Sequence, residues 1–267
     1  MFGNFGLPRL ELVGAGISST LVNVTTFAAL ALLAARRPPY RRYRVFVRLW
    51  RPDWTVFVGV LRIGLPIGLT LLLEIGMFSG AALLVGTLGP VPLAAHNVAL
   101  QLCAIIFMIP LGLSQAATIR VALAAGQRDR AGVRRVGVLA TALAVAVMAV
   151  PATLFYTVPE LLIRPFLDDP AHQRELAATA AALLGVAALF QIADGLQVVG
   201  TGLLRGLKDT TVPMLYAALG YWACGLGGAM VLLWGVDAGA RGVWVGLLIG
   251  LTVTAALALR RFHRRTA

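Results

Sequence analysis

LRIGLPIGLTLLLEIGMFSGAALLVGTLG, residues 61–89, decides the fold class. Beyond Arg62 its only charge is Glu74. A helix needs about 20 apolar residues to cross the ~30 Å hydrocarbon core of a bilayer, and this run is longer than that. Within a single segment, only a helix satisfies its own backbone groups in hydrocarbon. The stretch therefore predicts a membrane-spanning α-helix, extended to Phe57–Leu88 by its flanks. Six further runs read the same way: Leu12–Ala35, Leu93–Ile119, Val136–Val158, Leu176–Leu204, Val212–Gly235 and Gly242–Leu259. The expected fold is all-α, a polytopic membrane protein with seven transmembrane helices.

Composition points the same way. The 267 residues are 59% hydrophobic and 13% charged, with a mean hydropathy of +0.86, whereas soluble domains are about 25% charged. A net charge of +12 would suggest nucleic acid in a soluble chain. Here the basic residues fill the gaps between apolar runs, which is a topology signal, and no nucleic-acid partner is expected. Cys103 and Cys224 lie inside apolar stretches, and His96, His172 and His263 are scattered. Neither a disulfide framework nor a zinc site follows. The chain has no Walker loop, dinucleotide glycine fingerprint, HExxH or GxSxG. An enzyme is not expected, no cofactor is implied, and ATP does not energise this chain.

Lys and Arg stay preferentially on the cytoplasmic side. The gaps after helices one, three, five and seven carry the basic clusters at 36–62, 120–135, 205–208 and 260–265. Against them stand only Arg9, Arg164, Arg174 and Arg241. This places the N-terminus outside and the C-terminus in the cytoplasm, in a multi-pass cell (inner) membrane protein. An external start with no basic n-region or cleavable signal, leading into an odd number of helices, suggests the C-terminal part of a longer protein. Residues 1–35 then read as the last helix of a truncated first lobe, and 57–267 as a six-helix C-terminal lobe. Between them, 36–56 forms a basic cytoplasmic linker. Its RRPPYRRYRVFVRLWRPDW core (36–54) resists continuous helix at the paired prolines and suits an anionic lipid surface.

Two carboxylates fall inside apolar runs, Glu74 and Asp194. An ionisable group at mid-bilayer costs roughly 2.5–3.5 kcal/mol on insertion scales, a cost that folding a helix does not require. Counted from Arg62 and Arg205 at ~1.5 Å per residue, both lie about 16–18 Å deep, near the midplane. Two acids at one depth make a site for a proton or a monovalent metal cation such as Na⁺. Close together in low dielectric, they disfavour double ionisation. Gln191 and Gln197 stand three residues either side of Asp194, on adjoining faces of its helix. Phe190, one turn earlier, could offer a ring face to a cation. Asn97, Gln101 and Phe107 lie on the third helix as further cavity-lining candidates. His96, near that helix's external end, reads as an interfacial polar residue. Gly64 with Gly68, and Gly242 with Gly246 and Gly250, mark close helix contacts. Pro66 and Pro110 are candidate bends.

These residues carry a family resemblance. The run LRIGLPIGLTLLLEIGMFSGAALLVGTLGPVPLAAHNVALQL, then FMIPLGLSQAATIRVALAAGQRD and ALFQIADGLQVVGTGLLRGLKDTTVPM, resembles the second lobe of multidrug and toxic compound extrusion (MATE) transporters of the NorM-like branch. The resemblance covers essentially the whole chain. It implies a twelve-helix antiporter of two six-helix lobes, exporting organic cations and drugs in exchange for Na⁺ or H⁺. Glu74 and Asp194 match the family's cation-coupling glutamate and aspartate, and Phe107 falls at an aromatic position lining the cation site in some relatives. Phe190 stands where some relatives carry Tyr, so a phenolic ligand is absent and both ions stay open. The implied partners are organic cation or drug substrates, membrane lipid and the missing N-terminal lobe. Two alternatives stand beside this reading. A related lipid-linked oligosaccharide flippase would want basic residues in its cavity. A seven-helix receptor fits the topology, but a retinal-type Schiff base cannot form, because the sole lysine, Lys208, lies in a loop.

Overall fold

The computed structural model describes residues 11–36, 53–167 and 174–266. Among these it is helical throughout, without a strand. The helices are α1 (Glu11–Arg36), α2 (Trp54–Gly86), α3 (Pro90–Gly126), α4 (Arg130–Thr157), α5 (Pro159–Ile163), α6 (Arg174–Gly206), α7 (Thr211–Gly235) and α8 (Gly239–Thr266). All but the five-residue α5 are long and apolar enough to span a membrane, which gives the seven expected. The extra helix and the turn Arg164–Phe166 follow α4, where Pro159 and Pro165 break the apolar pattern.

The chain divides by its contacts into Met1–Gly59 and Val60–Ala267. In the first unit, the described side chains of α1 are almost all exposed. Residues 37–52, which hold most of the basic linker read from sequence, lie outside the described residues, as do 1–10.

In the second unit α6 is the hub, packed against α3, α4 and α8. Its buried residues run around most of its circumference from Leu183 to Leu204, as expected of a helix enclosed by others. Lipid tails are as apolar as Leu, so membrane helices associate by close packing and interhelical hydrogen bonds. Both devices are present. Ser114 Oγ on α3 donates to the Val198 carbonyl on α6 at 2.7 Å, and Thr118 Oγ1 donates to the Gly202 carbonyl at 2.8 Å. At the α7–α8 seam, a Cβ on Gly246 would strike the Ala229 backbone, and one on Gly250 the backbones of Gly220 and Gly225. Along that seam, α7 widens into π-type turns over Ala218–Leu226 and Val231–Gly235. Gly64 and Gly68 differ from expectation: a Cβ at either meets nothing within 4 Å among the described residues.

Helix ends extend past the apolar runs for local reasons. α3 continues through the Ala-rich segment after Arg120, a good helix former. It stops at a left-handed Arg128 (φ 58°), with the Asp129 N–H returning to the Ala124 carbonyl at 2.9 Å. The end of α6 is built alike: Lys208 has φ 58°, and the Asp209 N–H reaches the Leu204 carbonyl at 3.0 Å. Both are six-to-one C-terminal closures. α4 starts early, at Arg130, because the Asp129 carboxylate caps it by accepting from the Gly132 N–H at 2.8 Å.

Candidate functional site

Three helices of the second unit line an open cavity of about 520 Å³. α2 contributes Glu74 and Phe78, and α6 contributes Phe190 and Asp194, each an i, i+4 pair on one helix face. α3 adds a longer stripe: Asn97, Leu100, Gln101, Cys103, Ala104 and Phe107. Helical periodicity thus converts three apolar runs into one wall set with two carboxylates, two amides and three aromatic rings. Asn97 and Gln101 are exposed at its rim, Glu74 and Phe107 are half-buried, and Asp194 is only 4% exposed.

α2 is held in register beside α7 by a bond next to the acid. Trp222 Nε1 donates to the Leu73 carbonyl at 3.2 Å, immediately before Glu74. Met77 Sδ lies beside Gly225 of the same helix. An aromatic chain runs from the cavity wall into the packing behind it. Phe78 meets Phe190 edge-on with centroids 6.1 Å apart, Phe190 meets Trp244 at 5.3 Å, and Trp244 meets His96 at 5.7 Å.

Asp194 Oδ1 is buried with no hydrogen-bond partner. A buried acceptor left unmatched costs about 1–3 kcal/mol, more when charged. An oxygen in that state, facing a cavity with Glu74 on another wall, suits a bound proton or cation. Among the described residues no group of three or more His, Cys, Asp or Glu gathers as a metal-binding set. The donor set on offer is therefore two carboxylates and two amides.

Six of the eight residues expected from sequence line this cavity: Glu74, Asn97, Gln101, Phe107, Phe190 and Asp194. Gln191 and Gln197 are placed elsewhere. Three residues is about 60° off the Asp194 direction, enough to turn each amide into a helix–helix seam. Gln191 is fully buried, with Nε2 directed at the Cys103 carbonyl of α3. Gln197 Nε2 donates to the Tyr221 hydroxyl of α7. His96, read as an interfacial polar residue, is 0% exposed between helices, and its Nδ1 accepts from Trp244 Nε1 at 3.1 Å. The sequence reading missed Phe78 and Cys103 on the wall and, away from it, the Gln197–Tyr221 bond. Phe78 was within reach, one turn after Glu74 in LLLEIGMF; the other two depend on how the helices meet.

The MatE family model matches residues 66–231. The chain is 44% identical to the probable multidrug resistance protein NorM of Agrobacterium fabrum over 263 residues, 98% of this chain and 57% of that protein. To the same-named protein of Mesorhizobium japonicum it is 45% identical over 267 residues, covering 99% and 57%. It thus spans a little over half the length of these relatives. Among solved structures it resembles an outward-facing multidrug resistance MATE family transporter, with a TM-score of 0.82 at 20% identity, over 98% of this chain and 56% of that one. A eukaryotic MATE transporter gives 0.81 at 21%, over 96% and 59%. With a matching model across more than half its length and such identity along nearly all of it, the chain belongs to the MatE family of multidrug and toxic compound extrusion transporters, membrane carriers and not enzymes, in its NorM-like branch.

Proposed function

We propose that Glu74 and Asp194 bind the coupling ion, H⁺ or Na⁺, of a secondary antiporter that exports organic cations and drugs. The observation that supports this most is the placement of both membrane-embedded carboxylates on one cavity. A cationic substrate and a coupling ion relieve the same negative charge, so occupancy by one disfavours the other. That competition is what exchange requires. Phe78, Phe107 and Phe190 supply flat apolar faces for the organic part of such a substrate. Asn97 and Gln101 offer amide oxygens at the rim.

A second lobe supplies the opposing wall, since alternating access needs two walls around a midplane site. The proposed topology puts the basic turns at Arg128 and Lys208 in the cytoplasm of a cell whose inner membrane holds the protein. Cysteines introduced near Arg130 and Arg264, with Cys103 and Cys224 removed, should resist an impermeant thiol reagent in intact cells, while one near Asp237 reacts. The reverse labelling would invert the topology. In the protein carrying both lobes, Glu74→Gln or Asp194→Asn should abolish ion-driven efflux of a fluorescent organic cation at near-normal expression. Efflux from both variants with unchanged dependence on pH and Na⁺ would make the acids structural.

A further inference from the structure

The final turns of α8 carry Arg260, Arg261, Arg264 and Arg265, at spacings that gather them on adjoining sides of one helix end. With Tyr216 of α7 and Leu257 they line a separate cavity of about 370 Å³ between the ends of α7 and α8. Among the described residues no carboxylate lines it. The nearest acid, Asp209, is already engaged: its Oδ2 accepts from Arg261 Nε at 2.7 Å and lies 3.4 Å from an Arg265 nitrogen. Arg260 and Arg264 have no acidic partner among the described residues and stay exposed. One carboxylate thus pins part of the cluster in place without neutralising it.

Four guanidinium groups around one hollow repel one another unless an anion joins them. Arginine's planar fork matches phosphate oxygens in pairs, and the Tyr216 hydroxyl adds a further donor. Leu257 lies one turn before Arg261, toward the apolar body of α8, so the cavity has a charged mouth and an apolar inner wall. A soluble anion would use only the first. A glycerophospholipid uses both, with its phosphate among the arginines and its glycerol and upper acyl chain along Leu257. Scattered arginines would suffice to keep a helix end at the water interface; a hollow held open by the Asp209 ion pair is not needed for that. We infer that this α7–α8 cavity binds the phosphate-bearing headgroup of an anionic phospholipid.

The test uses the purified chain in phosphatidylcholine micelles or nanodiscs, titrated with spin-labelled phosphatidylglycerol against spin-labelled phosphatidylcholine. The unmodified protein should select phosphatidylglycerol. Charge near an anionic lipid surface is worth enough per arginine that R260Q/R264Q should lower that selectivity by roughly ten-fold or more. Both side chains are exposed, and the Asp209 pair is left intact. L257W, which fills the hollow at constant charge, should lose the selectivity as well. R62Q/R120Q, which removes equal charge from exposed positions on α2 and α3 away from this cavity, should change it far less. Equal losses from both arginine pairs, or no loss from R260Q/R264Q or L257W, would overturn the proposal in favour of a diffuse basic surface. Displacement of bound lipid by millimolar inorganic phosphate would overturn it in favour of a soluble-anion site.

Discussion

Two junctions in the second unit are built from the same apolar alphabet and end in opposite states. At the α7–α8 seam, Gly246 and Gly250 rest on the backbones of Ala229, Gly220 and Gly225, leaving no room for a methyl group. Where α2, α3 and α6 meet, Phe78, Phe107, Phe190 and two acids hold about 520 Å³ open. Without a hydrophobic force between helices in lipid, residue size decides which junction closes. Small residues let backbones touch, while large rings and carboxylates prop them apart. Trp244, on the helix that forms the closed seam, packs against Phe190 of the open cavity's wall.

Filling the closed seam should do most damage. Gly246→Leu places a large side chain against the Ala229 backbone, which cannot yield as a side-chain tip would. The loss should reach or exceed the ~3 kcal/mol upper range of ordinary overpacking. It would be read as lost monodisperse protein in detergent and a collapsed melting transition. A well-behaved Gly246→Leu protein would show that the seam is not closed as described.

Trp244→Phe is a milder break where seam and cavity connect. It keeps the ring beside Phe190 but leaves His96 Nδ1 unpartnered, and Nε2 has no partner already. Burying that unpaired nitrogen should cost about 1–3 kcal/mol, measured by denaturation in mixed micelles. Losing the Ser114–Val198 bond through Ser114→Ala should cost less, about 0.6 kcal/mol by membrane precedent. Gly64→Ala should be opposite in sign. With open space around it, alanine gains up to ~1 kcal/mol of helix propensity. A strong destabilisation there, in this chain, would restore the close contact that Gly64 and Gly68 suggest by spacing.

These comparisons also show why some features were legible in sequence and others were not. Apolar length near 20 residues with few charges identifies a span almost unaided, so the seven helices were readable from LRIGLPIGLTLLLEIGMFSG and its counterparts. Glu74 and Asp194 stood out because a mid-membrane charge is costly. Rotation about the helix axis is a finer matter. Glycine spacing alone did not separate Gly246 from Gly64, since a small-residue stripe requires a facing helix to mean anything. Gln191 and Gln197 lie near Asp194 in sequence, yet a 60° rotation sends one to Cys103 and the other to Tyr221. The burial of His96 was not readable because its indole partner comes from α8, 148 residues away.

The ion exchange proposed for the carboxylate pair is tested directly by counting the ions that leave as substrate binds. In the protein carrying both lobes, purified in weakly buffered detergent, saturation with an organic cation should release protons, or Na⁺ in Na⁺-loaded samples, in fixed ratio to substrate bound. Glu74→Gln combined with Asp194→Asn should abolish that release, since none of the cavity's described lining residues is then a carboxylate. Release of undiminished stoichiometry from the doubly neutral protein would contradict the assignment and place the coupling ion elsewhere.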